Sequence, residues 1–138
     1  MRRLLLSFFV ISLLVASAAS AQDGGGQLWV NAFEDRDGDG TRDPNEPFIT
    51  RGVSVDLLDA NSVVVASALL DESPNASRGL IGFQRLSPGT YTVIVTGADW
   101  TPTTPDTFTQ TLEENVMPTV LWYGAQRPVT NVPAEMSS

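Results

Sequence analysis

Twelve residues carry most of the chemistry this sequence offers: Asp35-Arg36-Asp37-Gly38-Asp39-Gly40-Thr41-Arg42-Asp43-Pro44-Asn45-Glu46. Oxygen-bearing side chains stand at positions 1, 3, 5, 9 and 12 of the stretch, with glycine at position 6. That is the spacing of an EF-hand-type calcium loop. Asp35, Asp37 and Asp39 alternate, so a tightly coiled backbone can turn all three carboxylates inward. Gly40 permits the sharp turn that a side chain would resist. Thr41 would offer its backbone carbonyl, Asp43 a ligand directly or through a water, and Glu46 both carboxylate oxygens. So many carboxylates in so short a stretch repel one another unless a cation sits among them. The competing interpretation, a solvated acidic turn, does not account for the register of the glycine with every ligand position.

Absent residue types narrow the chemistry further. The sequence has no histidine and no cysteine, and all 8 basic residues are arginines. A Ser-His-Asp or Cys-His nucleophile, a lysine Schiff base and a His/Cys zinc site are therefore excluded. Adjacent acidic pairs, Asp71-Glu72 and Glu113-Glu114, would point to opposite faces of a strand and read as solvated charges rather than a catalytic pair. No enzyme is expected; a carboxylate-only hydrolase is a remote alternative.

The elements around the loop are strands. Residues 27–33 alternate, with Leu28 and Val30 on one face, and the acidic stretch follows at once. Arg42 occupies the position where paired helical EF-hands place an aliphatic residue, and Pro44 and Pro47 oppose an exiting helix. The loop therefore staples strands rather than switching helices. Further strands are expected over 53–58, 62–70, 80–86, 90–96, 107–112 and 116–123. A hairpin turn falls at Asp59-Ala60-Asn61, a loop over 71–79, a tight Ser87-Pro88-Gly89 turn of type II, and a proline-threonine loop over 101–105. About seven short strands without helical period give an all-β fold, an antiparallel immunoglobulin-like or prealbumin-like sandwich.

The N-terminus reads as an export leader: Met1-Arg2-Arg3, an apolar run over 4–15, then small residues to Ala21. The run is too short to span a bilayer stably, and the mature chain has no candidate span. Paired arginines suggest the twin-arginine route, but the rest of that motif is missing, so ordinary secretion is expected. Boundaries follow: signal peptide 1–21, flexible lead-in 22–26, sandwich domain 27–124 and disordered tail 125–138. Removing Arg2 and Arg3 leaves 6 basic against 16 acidic residues, a net charge of −10. Such a chain has no electrostatic affinity for nucleic acid or anionic membrane.

Three segments in this order resemble a known family: the Asp-x-Asp-x-Asp-Gly-x-x-Asp-x-x-Glu loop after the first strand, Val53-Ser54-Val55-Asp56-Leu57-Leu58-Asp59, and Gly79-Leu80-Ile81-Gly82-Phe83-Gln84-Arg85-Leu86-Ser87-Pro88-Gly89-Thr90-Tyr91. Together they resemble the B-type repeat of serine-aspartate-rich surface proteins, related to the collagen-adhesin B domain, over roughly residues 27–124. The resemblance implies a calcium-stabilised spacer module without enzymatic activity, on secreted or cell-surface proteins. Its ligands would be Asp35, Asp37, Asp39, the Thr41 carbonyl, Asp43 and Glu46. Some collagen-adhesin B domains carry a lysine–asparagine isopeptide crosslink, which a chain without lysine cannot form. The family usually occurs in tandem, whereas the motifs appear once here with no sortase-type signal, so free secretion is the expectation.

Tryptophan gives a second function class. Trp29, Trp100 and Trp122 could form a sugar-stacking platform, with Trp100, on a loop, its best candidate; packing explains the other two more simply. Asn75-Ala76-Ser77 fits a glycosylation sequon, but such triplets arise by chance and the leader has a bacterial look. The sequence thus leads to a secreted, monomeric, calcium-binding module with a structural, adhesive or interaction role. Its partner would be a protein or a glycan.

Overall fold

The computed structural model describes residues 26–114 and 117–128. The expected leader, most of the lead-in, Val116 and the tail from 129 onward lie outside the described residues. Eight strands form: β1 Gly26–Glu34, β2 Val53–Leu58, β3 Val64–Leu69, β4 Leu80–Leu86, β5 Gly89–Gly97, β6 Thr101–Pro102, β7 Thr107–Leu112 and β8 Thr119–Gln126. They pair as two four-stranded sheets, ordered β4-β1-β8-β6 and β3-β2-β5-β7.

Period-two alternation builds the interior. Leu28, Val30 and Ala32 of β1 face Val53, Val55 and Leu57 of β2 and Val93 and Val95 of β5 across the core, all at most 3% exposed. Each valine or leucine among them contributes roughly 1.5–3 kcal/mol on leaving water. Tyr123 is fully buried from β8, and its hydroxyl has no hydrogen-bond partner among the described residues. Burial raises its pKa, with the Asp106 charge adding to the shift.

Pairing departs from the sequence reading in two places. β8 runs parallel to β1, from Leu28↔Thr119 to Glu34↔Ala125, inside an otherwise antiparallel pattern. Two residues of the expected 101–105 loop are a strand, since Thr101 and Pro102 pair with Gln126 and Ala125. A proline is tolerated there because β6 is the sheet edge, where no outer ladder needs its missing N–H. The 71–79 loop contains two single-turn 3₁₀ helices, Leu70–Glu72 and Ala76–Arg78. The Leu-x-Pro-Gly-x-Tyr stretch acquires a structural reason: the Tyr91 hydroxyl donates to the Ser87 carbonyl at 2.7 Å and holds the crossing from β4 to β5.

The outer faces differ in chemistry. On the first sheet Trp29 lies across Gly82, where a Cβ would come within 2.3 Å of the indole. Val120 and Trp122 are 44% and 45% exposed on that face. The second sheet shows threonines, with Thr90 and Thr111 hydrogen-bonded across β5 and β7 at 3.0 Å. Among the described residues no helix is long and apolar enough to cross a membrane.

Candidate metal centre

The acidic loop is closed at its neck by backbone bonds. Glu34 N–H donates to the Pro47 carbonyl at 2.8 Å, and Ile49 N–H to the Ala32 carbonyl at 3.0 Å, around a Phe33↔Phe48 bridge. One further bond ties the start of the loop to β8: Asp35 N–H donates to the Ala125 carbonyl at 2.9 Å. The twelve residues therefore coil over one end of the first sheet.

Asp35 is fully buried. Its Oδ1 accepts the Gly38 N–H at 3.1 Å. Its Oδ2 accepts the Gly40 N–H at 2.7 Å and the Thr103 hydroxyl at 2.6 Å. Gly40 sits at φ +80°, the left-handed conformation that glycine adopts without strain. Asp37 and Asp39 are exposed and brace successive turns: the Asp39 N–H donates to Asp37 Oδ1 at 3.2 Å, and the Thr41 N–H to Asp39 Oδ1 at 2.9 Å. Thr41 lies exposed on the rim and brings no carboxylate of its own.

Glu46, 2% exposed, reaches back across the loop. Its Oε1 accepts the Asp43 N–H at 2.7 Å, and its Oε2 accepts those of Arg36 at 2.7 Å and Asp37 at 3.4 Å. The result is two carboxylate groups that share one member. Asp35, Asp37 and Asp39 bring ligand oxygens within 4.8 Å of one another, as do Asp37, Asp43 and Glu46. All five acids singled out by spacing are thus brought together, and Asp37 stands where the groups meet.

The electrostatics divide the loop. Burial pushes the Asp35 carboxyl up, but hydrogen bonds from Thr103 and the Gly40 and Gly38 amides, together with Asp37, leave it below the ordinary value. Asp37 goes the other way. The Asp39 N–H pulls it down, but the carboxyls of Asp43 and Asp35, with smaller contributions from burial and Asp39, push it up to about 7. Local cations do not relieve this crowding. Arg36 and Arg127 both pair with Glu34, at 3.3 and 3.9 Å, outside the cluster. Arg42 instead lies over the Phe48 ring at 3.9 Å, a cation–π contact that explains an arginine at this loop position.

The donor set, five carboxylates and a carbonyl with no nitrogen or sulfur, suits a hard divalent cation such as calcium. Clustered acidic residues here could hold a metal ion. Sequence reading missed Thr103, because it is 68 positions from Asp35 and nothing local marks it as a partner.

The other candidates are placed apart. Trp100 is partly buried against the core, its Cβ and Cδ1 close to Gly97, with the Arg127 guanidinium 5.4 Å from its ring centroid. It lines a surface cleft of about 510 Å³ with Arg51, Asp71, Asp99 and Arg127. Trp122 is the more open indole, set edge-to-face against Phe33 at 6.0 Å. Asp71 accepts the Gly52 N–H at 2.8 Å, so that member of an acidic pair anchors a loop. Glu113 and Glu114 are exposed.

Fold and site together are a two-sheet sandwich whose first strand leads directly into a coiled acidic loop. The model of the SdrD B-like domain matches residues 28–120, and the chain belongs to that family. Three solved structures share the fold. The minor pilin of Streptococcus agalactiae has a TM-score of 0.54 at 13% identity, covering 78% of this chain and 46% of its own. The major pilin subunit BcpA of Bacillus cereus gives 0.53 at 15%, covering 76% and 31%. The Bacillus anthracis TIE protein gives 0.53 at 18%, covering 74% and 17%. The chain therefore spans less than half the length of each of these proteins. No curated protein matches the sequence.

Proposed function

We propose that this chain is a calcium-binding β-sandwich module of an exported protein, with a structural, adhesive or protein-interaction role rather than a catalytic one. The observation that carries the reading is the loop itself: five carboxylates in EF-hand register, gathered around Asp37. Asp35, Asp37, Asp39, Asp43, Glu46 and the Thr41 carbonyl would hold the ion. Bound calcium would supply the positive charge that the local arginines do not. The chain's own residues do the rest: the neck bonds fix both ends of the loop, and Glu46 and Asp35 hold its coil in shape. The leader-like N-terminus supports export, and membership of the SdrD B-like family supports an extracellular or surface setting.

Isothermal titration of the chain with calcium tests the reading. One site is expected, with a dissociation constant near ~10⁻⁴ M or weaker, as for other extracellular modules. Asp39→Ala should remove it. No heat of binding, or binding that survives Asp39→Ala, overturns the proposal.

A second reading, glycan binding, is favoured by one feature. Trp122 borders a cleft of about 360 Å³ with Phe33, Gly40, Thr41 and Arg42, beside the metal loop. Quenching of tryptophan fluorescence by polysaccharide, abolished by Trp122→Ala and not by Trp100→Phe, would support it; no quenching would remove it.

A further inference from the structure

We infer that the metal centre extends beyond the twelve-residue loop to Thr103, a positioning residue whose hydroxyl orients Asp35 and makes ion binding fasten the β6 edge to β8. The inference rests on the calcium reading above and adds a residue and a mechanical consequence to it.

Asp35 supplies the geometry. Its Oδ2 already accepts two short bonds, from Gly40 N–H at 2.7 Å and Thr103 Oγ1 at 2.6 Å. Its Oδ1 accepts only the longer 3.1 Å bond from Gly38 N–H, which leaves Oδ1 as the oxygen for an ion. A carboxylate pinned through one oxygen cannot swing freely about its side-chain bonds. The Gly40 amide belongs to the loop, but the Thr103 hydroxyl comes from a different part of the sheet. Groups that orient a ligand from outside the coordination shell commonly change metal affinity about 10–100-fold when removed.

Thr103 is itself held in place. Its N–H donates to the Gly124 carbonyl at 2.8 Å, and the Thr104 hydroxyl accepts the Gly124 N–H at 3.0 Å. Gly124 is what permits this approach: a Cβ there would lie 2.9 Å from Thr103 Oγ1 and 2.7 Å from Phe33 Cζ. Strand β6 has only two paired residues, so its docking depends on the contacts that follow it. Ion and strap therefore act on the same carboxylate from opposite oxygens. By linkage, whatever the strap adds to ion affinity, the ion returns to the strap.

The test uses the full chain with calcium chloride, by titration calorimetry and by hydrogen exchange at the Thr103 amide. Calcium should slow exchange at Thr103 although it lies far from the loop in sequence. Thr103→Val should weaken calcium binding about 10–100-fold and erase that protection. Thr103→Ser, which restores the hydroxyl, should return both to near wild type. Circular dichroism in calcium-free buffer identifies any variant that fails to fold, and in that event Thr103→Ala, which removes the hydroxyl without adding bulk, replaces Thr103→Val with the same expected loss. Wild-type protein that binds no calcium overturns the metal reading itself. Wild-type binding with an unchanged constant in Thr103→Val, or an equal loss in Thr103→Ser, overturns the role of Thr103 alone.

Discussion

The two halves of the acidic loop are built on opposite principles. Asp35 and Glu46, its first and last residues, are buried and accept six hydrogen bonds between them. Asp37 and Asp39 are exposed, and Asp37 sits among carboxyls that push its pKa up to about 7. The buried pair is already satisfied by amides and a hydroxyl, so it shapes the loop without needing an ion. The exposed pair is crowded and unneutralised, so it is the part that gains from one. The contrast teaches that one loop can take its shape from its buried acids and its charge crowding from its exposed ones.

The sharpest way to break the contrast is to remove the buried end. Asp35→Ala orphans the Gly40 amide and the Thr103 hydroxyl and leaves the Gly38 amide only its 3.2 Å bond to the Asp35 carbonyl, and should lower metal-free stability by about 3 kcal/mol. Urea unfolding in chelator measures this; a loss below about 1 kcal/mol would show that the pair does not shape the loop. Glu46→Ala should follow with about 2 kcal/mol, because it frees the Arg36, Asp37 and Asp43 amides, two of them on exposed residues and one bonded at only 3.4 Å.

The exposed end should respond to pH instead. Asp37 has a folded pKa of about 7 against an ordinary 3.8, so the folded chain holds the extra proton between those values. Metal-free stability should therefore decline, through this group, as pH rises from about 4 to about 7. Asp35 acts with the opposite sign: its lowered pKa gives stability that is present above the ordinary value and lost as pH falls below it. Melting curves across this range should show the decline in the wild type and not in Asp37→Asn. A wild-type profile identical to that of Asp37→Asn would contradict the crowding. The smallest effect belongs to Asp39→Asn, which should leave metal-free stability within about 0.5 kcal/mol while weakening the calcium response.

How much of this could be read from the sequence depends on distance along the chain. The gathering of the five carboxylates and the turn at Gly40 were legible because their offsets within twelve residues match a coiled acidic loop. Strands β2, β4, β5 and β7 were legible from alternation, and the family from the same segments. The β1–β8 parallel pairing was not, because alternation reports which face a residue takes and not which strand lies beside it. Nor was β6, whose two residues are too few to show a period and contain a proline. Thr103 was illegible for the same physical reason: its hydroxyl meets Asp35 only after the strap has crossed to β8. Trp100, singled out because it lies outside a strand, packs against Gly97 and is partly buried, while Trp122 on a strand is the open one.

Thermal unfolding of the wild type, in chelator and then in excess calcium, tests the central claim that the loop is a calcium-completed staple. With calcium at ~100 times its dissociation constant, the fold should gain about 2.7 kcal/mol, a rise in midpoint on the order of 10 °C. The chelated protein should still unfold cooperatively, because Asp35 and Glu46 hold the loop without the ion. An unchanged midpoint, or a chelated protein with no cooperative transition at all, would contradict the account.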